Sequence, residues 1–127
     1  VTVPLNCTPF LNLRRVSAGN TSLPSVNLST CTKLEWIYIR SSPSVTTLNL
    51  PATLSNTTLV YGDGCALTSA AINDILVKLD ANGVSNTQSV TNNYIIKLDG
   101  GTNAAPTGAG ITAKNNLIAK GWSVTTN

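Results

Sequence analysis

The chain has 127 residues, 8 of them basic and 5 acidic, and contains neither His nor Met. Ser, Thr and Asn contribute 12, 18 and 15 residues, about a third of the whole. The length suits one domain and the 42% apolar share can build a core, but triads, zinc sites and pH switches built on imidazole are excluded. A net charge of +3 is too thin for the basic stripe of a nucleic-acid binder.

The first ten residues read as an N-terminal connecting segment. The chain opens at Val1 rather than Met and shows no secretory leader, so it reads as a processed chain or as part of a larger one. No apolar run approaches the ~20 residues of a membrane-spanning helix. Cys7, Cys31 and Cys65 make an odd number with no CxxC spacing. They fit small buried hydrophobes, with a Cys7–Cys31 disulfide as the alternative.

From Leu11 to Leu67 the sequence repeats. Leu13, Val16 and Ala18 align with Leu34, Ile37 and Ile39 at an offset of 21, and these with Asn56, Leu59 and Tyr61 at 22. Between them Leu23, Val26 and Leu28 align with Val45, Leu48 and Leu50 at an offset of 22, and Leu67 extends that series. Each unit is too small to bury its own apolar face, so neighbours must stack and share a core. Alternation within the first set of each unit predicts short parallel strands with Ile37 and Ile39 inward. The second set has prolines nearby and no helical spacing, which predicts extended or turn-like return limbs.

Beyond Leu67 the units lengthen. Thr68 or Ser69 can cap a helix that carries Ile72, Ile75, Leu76 and Leu79 on one face, with Gly83 as its stop. A polar stretch, Val84 to Asn93, leads to a strand at Tyr94 to Asp99 and a loop at Gly100 to Pro106. A second helix near Gly110 to Lys120 places Ile111, Leu117 and Ile118 on one side, and Trp122 to Thr126 forms the last strand. Residues 68–127 therefore read as two helix-containing capping repeats that close the short repeats of 11–67. The expected fold class is an α/β solenoid with a short-stranded parallel sheet.

Three segments of the tail carry a resemblance: Ala66 to Leu76, Gly100-Gly-Thr-Asn-Ala-Ala-Pro106, and Leu117-Ile-Ala-Lys-Gly-Trp-Ser-Val-Thr-Thr-Asn127. Together with Ser29-Thr-Cys31-Thr-Lys-Leu34 they resemble BspA-type leucine-rich-repeat surface proteins. They are also similar to the C-terminal modules of tail-fibre or appendage proteins of phages that infect Bacteroidetes-type bacteria. The resemblance implies a parallel-stranded solenoid on a cell or virion surface, with Asn127 a true chain end. It implies no catalytic residue and no cofactor. Gly100, Gly101 and Gly121 become positions of backbone geometry, and Trp122 a core or capping aromatic.

Five acids are present: Glu35, Asp63, Asp74, Asp80 and Asp99. Asp63 and Asp99 end successive strands and can meet on one rim, as a glycosidase pair would. Their Gly neighbours favour solvated turn acids. The same pair lacks the alternating acidic ligands of a dedicated Ca²⁺ loop, and Gly62-Asp-Gly64 and Gly100-Gly101 lack the rest of any phosphate-cradling motif. No metal site is expected.

Strand phase gives the sharper expectation. With Ile37 and Ile39 inward, Trp36, Tyr38 and Arg40 face solvent, beside Arg15 and Ser17 on one side, Thr58 and Val60 on the other, and Lys97 and Asp99 beyond. The binding face is therefore Arg15, Trp36, Tyr38, Arg40, Val60 and Lys97, residue types that dominate hot spots. The expected function is a non-enzymatic structural and recognition module of an extracellular fibre, filament or phage tail appendage. Its partners are other protein subunits, a homo-oligomer or filament included, with a surface glycan or receptor as a further partner. A bacterial adhesin that binds host protein or glycan is the alternative. Asn6, Asn20, Asn27 and Asn56 each stand in an N-glycosylation sequon.

Overall fold

A strand of three residues makes too few ladder bonds to stand alone, so strands this short exist only where a neighbouring strand and a shared core hold them. The computed structural model describes residues 3–82 and 94–127 and builds such a stack. Its strands are β1 (Leu5–Asn6), β2 (Arg15–Ser17), β3 (Ser25–Asn27), β4 (Trp36–Tyr38), β5 (Thr47–Asn49), β6 (Leu59–Tyr61), β7 (Ile95–Leu98) and β8 (Ser123–Thr126). The helices are α1 (Ser69–Ala81) between β6 and β7, and α2 (Ala109–Ala119) between β7 and β8. The strands form two sheets, one of order β1-β3-β5 and a larger one of order β2-β4-β6-β7-β8, parallel throughout. Up to β6 the chain passes alternately from one sheet to the other.

The return limbs are thus true strands, and the fold has two parallel sheets where the sequence predicted one. Val26 and Leu48, in register with each other, supply the buried side of the smaller sheet. Facing them, Val16, Ile37, Val60 and Ile96 form one buried column across the larger sheet, and Val124 continues it half-buried. Leu5–Asn6 pairs with β3, which ties part of the first ten residues into the smaller sheet.

The third strand of the larger sheet shifts register by one from the sequence alignment. Ile37 pairs with Val60, not Leu59. Thr57 therefore takes the inward place that Leu34 holds one layer earlier, fully buried, and its hydroxyl donates to the Leu34 carbonyl at 2.8 Å. The same shift turns Gly62 inward. A Cβ there would come within 3.1 Å of Leu98 Cδ2 and 3.3 Å of Leu67 Cδ1, so a side chain would press both leucines by a few tenths of an ångström.

All three cysteines are buried and free, so the Cys7–Cys31 disulfide does not form. The Cys31 thiol donates to the Cys7 carbonyl at 3.3 Å and the Cys65 thiol to the Ile39 carbonyl at 3.1 Å. Burial pushes each thiol above its ordinary pKa, which keeps them protonated and unreactive.

α1 begins as its sequence predicts: the Thr68 hydroxyl accepts from the Ala71 N–H at 3.2 Å, and Ile72, Ile75, Leu76 and Leu79 are buried. Its predicted stop, Gly83, and the Val84 to Asn93 stretch lie outside the described residues. α2 packs on α1 through Gly110, Ala113 and Leu117. Gly110 sits against the Asn73 amide, where a Cβ would collide with Asn73 Oδ1. Ile111 and Ile118, which the sequence places on one side with Leu117, lie exposed at 47% and 48%, while Leu117 is fully buried. Trp122 is buried, edge-on to Tyr94 at 5.1 Å. No helix among the described residues is long and apolar enough to cross a membrane.

Two polar clamps hold the helical end. Asn103, buried in the Gly-Gly-Thr-Asn loop, donates to the carbonyls of Gly62 and Leu98 at 2.8 and 3.0 Å and accepts from the Leu67 N–H at 2.8 Å. Asp80 on α1 takes the Lys120 ammonium at 2.6 Å and the Asn116 amide at 2.9 Å. Burial pushes the Asp80 carboxyl up, but the hydrogen bonds from Asn116 and Lys120 and the Lys120 charge outweigh it, and its pKa lies below the ordinary value.

Asn103→Ala strands one N–H and two carbonyls in the core, and urea unfolding should show a loss of about 2–4 kcal/mol. Because the folded pKa of Asp80 is depressed, its stabilising contribution is present above the unfolded value of about 4 and is lost as pH falls through the folded value. The stability gap between wild type and Asp80→Asn should therefore be open at neutral pH and close in acid, as measured by urea midpoints across that range.

Candidate functional site

Inward alternation at Val16, Ile37, Val60 and Ile96 dictates what the outer face of the larger sheet presents. One outward row runs Arg15, Trp36, Leu59, Ile95 and Ser123, in register from β2 to β8. The next runs Ser17, Tyr38, Tyr61, Lys97 and Thr125. Beyond the strand ends, Arg40, Asp63 and Asp99 follow as neighbours: Ser41 N–H bonds the Asp63 carbonyl and Gly64 N–H the Asp99 carbonyl.

The face is held by ring and guanidinium contacts. Tyr38 stacks on Tyr61 with centroids 4.8 Å apart and planes 18° apart, and Trp36 leans against Tyr38 at 6.5 Å. Arg15 lies 3.9 Å above the Trp36 ring and Arg40 lies 5.4 Å from the Tyr61 centroid. Arg40 also pairs with Asp63 at 2.9 Å, while Arg14 and Arg15 share Glu35 at 3.5 and 3.9 Å. Between Arg15, Val16, Ser17, Trp36 and Tyr38 the surface sinks into a hollow of about 310 Å³.

Arg15, Trp36, Tyr38, Arg40 and Lys97 thus share one face, as the strand phase predicts. Val60 does not: it is fully buried, because the one-residue shift in β6 turns it inward. The same shift turns Leu59 and Tyr61 to the outer side of the sheet, where Tyr61 is half-buried and Leu59 stays buried beneath its neighbours. Tyr61 is the neighbour on this face that sequence reasoning missed. The only trace of it in the sequence is Thr57 standing in a column of leucines.

Asp63 and Asp99 do lie side by side on one rim. Asp63 Oδ2 accepts from the Arg40 guanidinium, and its Oδ1 is buried without a hydrogen-bond partner among the described residues. Asp99 accepts from the Thr125 hydroxyl at 3.0 Å and faces Lys97 at 3.7 Å. Burial raises the Asp99 pKa, but the Thr125 hydrogen bond and the Lys97 charge bring it below the ordinary value. A general acid needs the opposite shift. Among the described residues no group of three or more metal-binding side chains gathers.

The sequons fall on separate surfaces. Asn6, Asn20 and Asn56 are exposed and Asn27 is half-buried. Asn6 and Asn27 already use Oδ1 to accept from the N–H two residues on, Thr8 and Ser29, both at 3.1 Å.

No protein-family model, no curated protein and no solved structure matches the chain.

Arg40→Ala leaves the largely buried Asp63 carboxylate without its cation and should cost about 1–3 kcal/mol in urea unfolding. Asp63→Asn in the same background should recover part of that loss, because the residue left behind then carries no charge.

Proposed function

We propose that the chain is a non-enzymatic structural and recognition module of an extracellular fibre, filament or phage tail appendage. In this reading it is a leucine-rich-repeat-like solenoid: each short repeat contributes one strand to each sheet, and α1 and α2 belong to enlarged capping repeats. The outer face of the larger sheet engages other protein subunits, a second copy of the chain included.

The observation that carries this reading is the set of three aromatic and two arginine side chains stacked on one solvent-facing sheet. Such groups lose hydration when covered and gain contacts on a rigid support, which is the economy of a hot spot. The Ser-, Thr- and Asn-rich remainder fits a surface displayed to water. The alternative, a cell-surface adhesin that binds glycan, is favoured by the hollow over Ser17, which is the size of a small ring rather than of a protein surface.

Light scattering on a sizing column should give a mass that rises with protein concentration, and Trp36→Ala together with Arg40→Ala should return it toward the single chain. A strict monomer at every concentration, with no assembled particles in negative stain, sinks the self-assembling unit.

A further inference from the structure

We propose that the hollow over Ser17 is a binding subsite for a six-membered sugar ring bearing a carboxylate, of the hexuronic acid class. This subsite presupposes that the outer sheet face is a recognition surface, and it assigns that face a specific ligand chemistry.

The stack of rings supplies the ring-binding place. Tyr38 has one face covered by Tyr61, at 4.8 Å and nearly parallel. Stacking across in-register strands directs the opposite face of Tyr38 toward β2, where its register partner is Ser17. A serine side chain is too short to reach the ring, so the next place in the Tyr61–Tyr38 series stays open as the 310 Å³ hollow. A flat or chair-shaped ring of one residue is what continues such a stack.

Charge supplies the carboxylate preference. Arg14 and Arg15 share the single carboxylate of Glu35, so the hollow carries surplus positive charge. Arg15 meets Glu35 through Nε at 3.9 Å, at the limit of an ion pair, while its guanidinium carbon stands 3.9 Å from the centre of the Trp36 ring. No described residue bonds its two terminal nitrogens, and an unpaired guanidinium fork takes a carboxylate bidentately.

Hydroxyl chemistry selects a sugar over an aromatic acid. Ser17 and Tyr38 line the same hollow, and neither side-chain hydroxyl has a hydrogen-bond partner among the described residues, so each can donate to or accept from a ring hydroxyl. β2 is also the outermost strand of its sheet, which leaves the hollow open at one side. A bound unit can thus belong to a longer acidic polysaccharide that runs off over the edge.

The test is titration of the intact chain with sodium glucuronate, glucose and benzoate, at protein concentrations where light scattering shows one species. Binding is read by saturation-transfer NMR and by Trp36 fluorescence. Glucuronate should saturate with an affinity on the order of millimolar, ahead of both glucose, which lacks the carboxylate, and benzoate, which lacks the hydroxyls. Arg15→Gln should weaken glucuronate by about tenfold, the loss of a charge-assisted pair, and leave glucose unchanged. Ser17→Tyr should abolish glucuronate binding by filling the place with its own ring, with circular dichroism and Tm unchanged. Failure of glucuronate to saturate, undiminished binding in Ser17→Tyr, or benzoate or glucose binding as tightly as glucuronate each overturns the assignment. If glucuronate fails while Trp36→Ala still weakens self-association, the subsite falls and the recognition face stands. If Trp36→Ala changes neither, both fall.

Discussion

The structure depends on register. Its strands run two to four residues, and parallel strands of that length hold only when paired in register over a shared core. Moving one strand by a single residue would exchange its buried and solvent faces. The column Val16, Ile37, Val60 and Ile96 is therefore both the core of the larger sheet and the device that sets what its other side displays. Core and candidate site are two readings of one alternation.

Keeping that register requires that the turns between strands also stack, and this is where the hydroxyl-rich composition acts. The Thr30 hydroxyl donates to the Thr8 carbonyl 22 residues earlier, Thr46 to Pro24 across the same separation, and Thr57 to Leu34 across 23. Ser42 reaches the Ala18 carbonyl across 24. Each of these bonds joins one turn to the next; the Pro24 carbonyl also accepts from the Thr46 N–H and the Ala18 carbonyl from the Thr21 hydroxyl. Asn6, Asn27 and Asn49 repeat in register across the smaller sheet, and the first two fold their amides onto the following turn. A chain with few charges and many short polar side chains suits this task, since buried or half-buried turns accept hydroxyls and amides far more cheaply than ions.

Much of this was legible in the sequence, and the failures have physical causes. The period near 22, the inward phase of Ile37, and helix α1 with its Thr68 cap follow from apolar spacing and one capping residue. The second sheet was not legible because Ser25–Asn27 and Thr47–Asn49 each carry one buried residue between polar ones, too short a pattern to distinguish a strand from a turn. Val60 was misplaced because periodicity assumes apolar residues in apolar columns, and Thr57 breaks the rule with a hydroxyl that finds the Leu34 carbonyl. Ile111 and Ile118 were misplaced because close packing of two helices is set by the smallest residue, and Gly110 against Asn73 outranks the larger side chains.

The Thr57 substitution links that failure to the candidate site. Keeping Leu34's inward place for residue 57 puts Val60 in the core and carries Leu59 and Tyr61 outward together. Tyr61 outward is what supports Tyr38 from one side and what brings Arg40 over a ring on its way to Asp63. Had Leu59 gone inward instead, Tyr61 would share its side of the strand, Tyr38 would lose its stacking partner and Arg40 its aromatic support. One buried hydroxyl bonded to a carbonyl in the layer before it thus fixes the order of the outer rows. The same choice leaves Gly62 inward, where an added Cβ would crowd the side-chain ends of Leu67 and Leu98. The face is therefore not an addition to the core but its remainder, and a change at Thr57 or Gly62 acts on the aromatic stack through the strand that carries it.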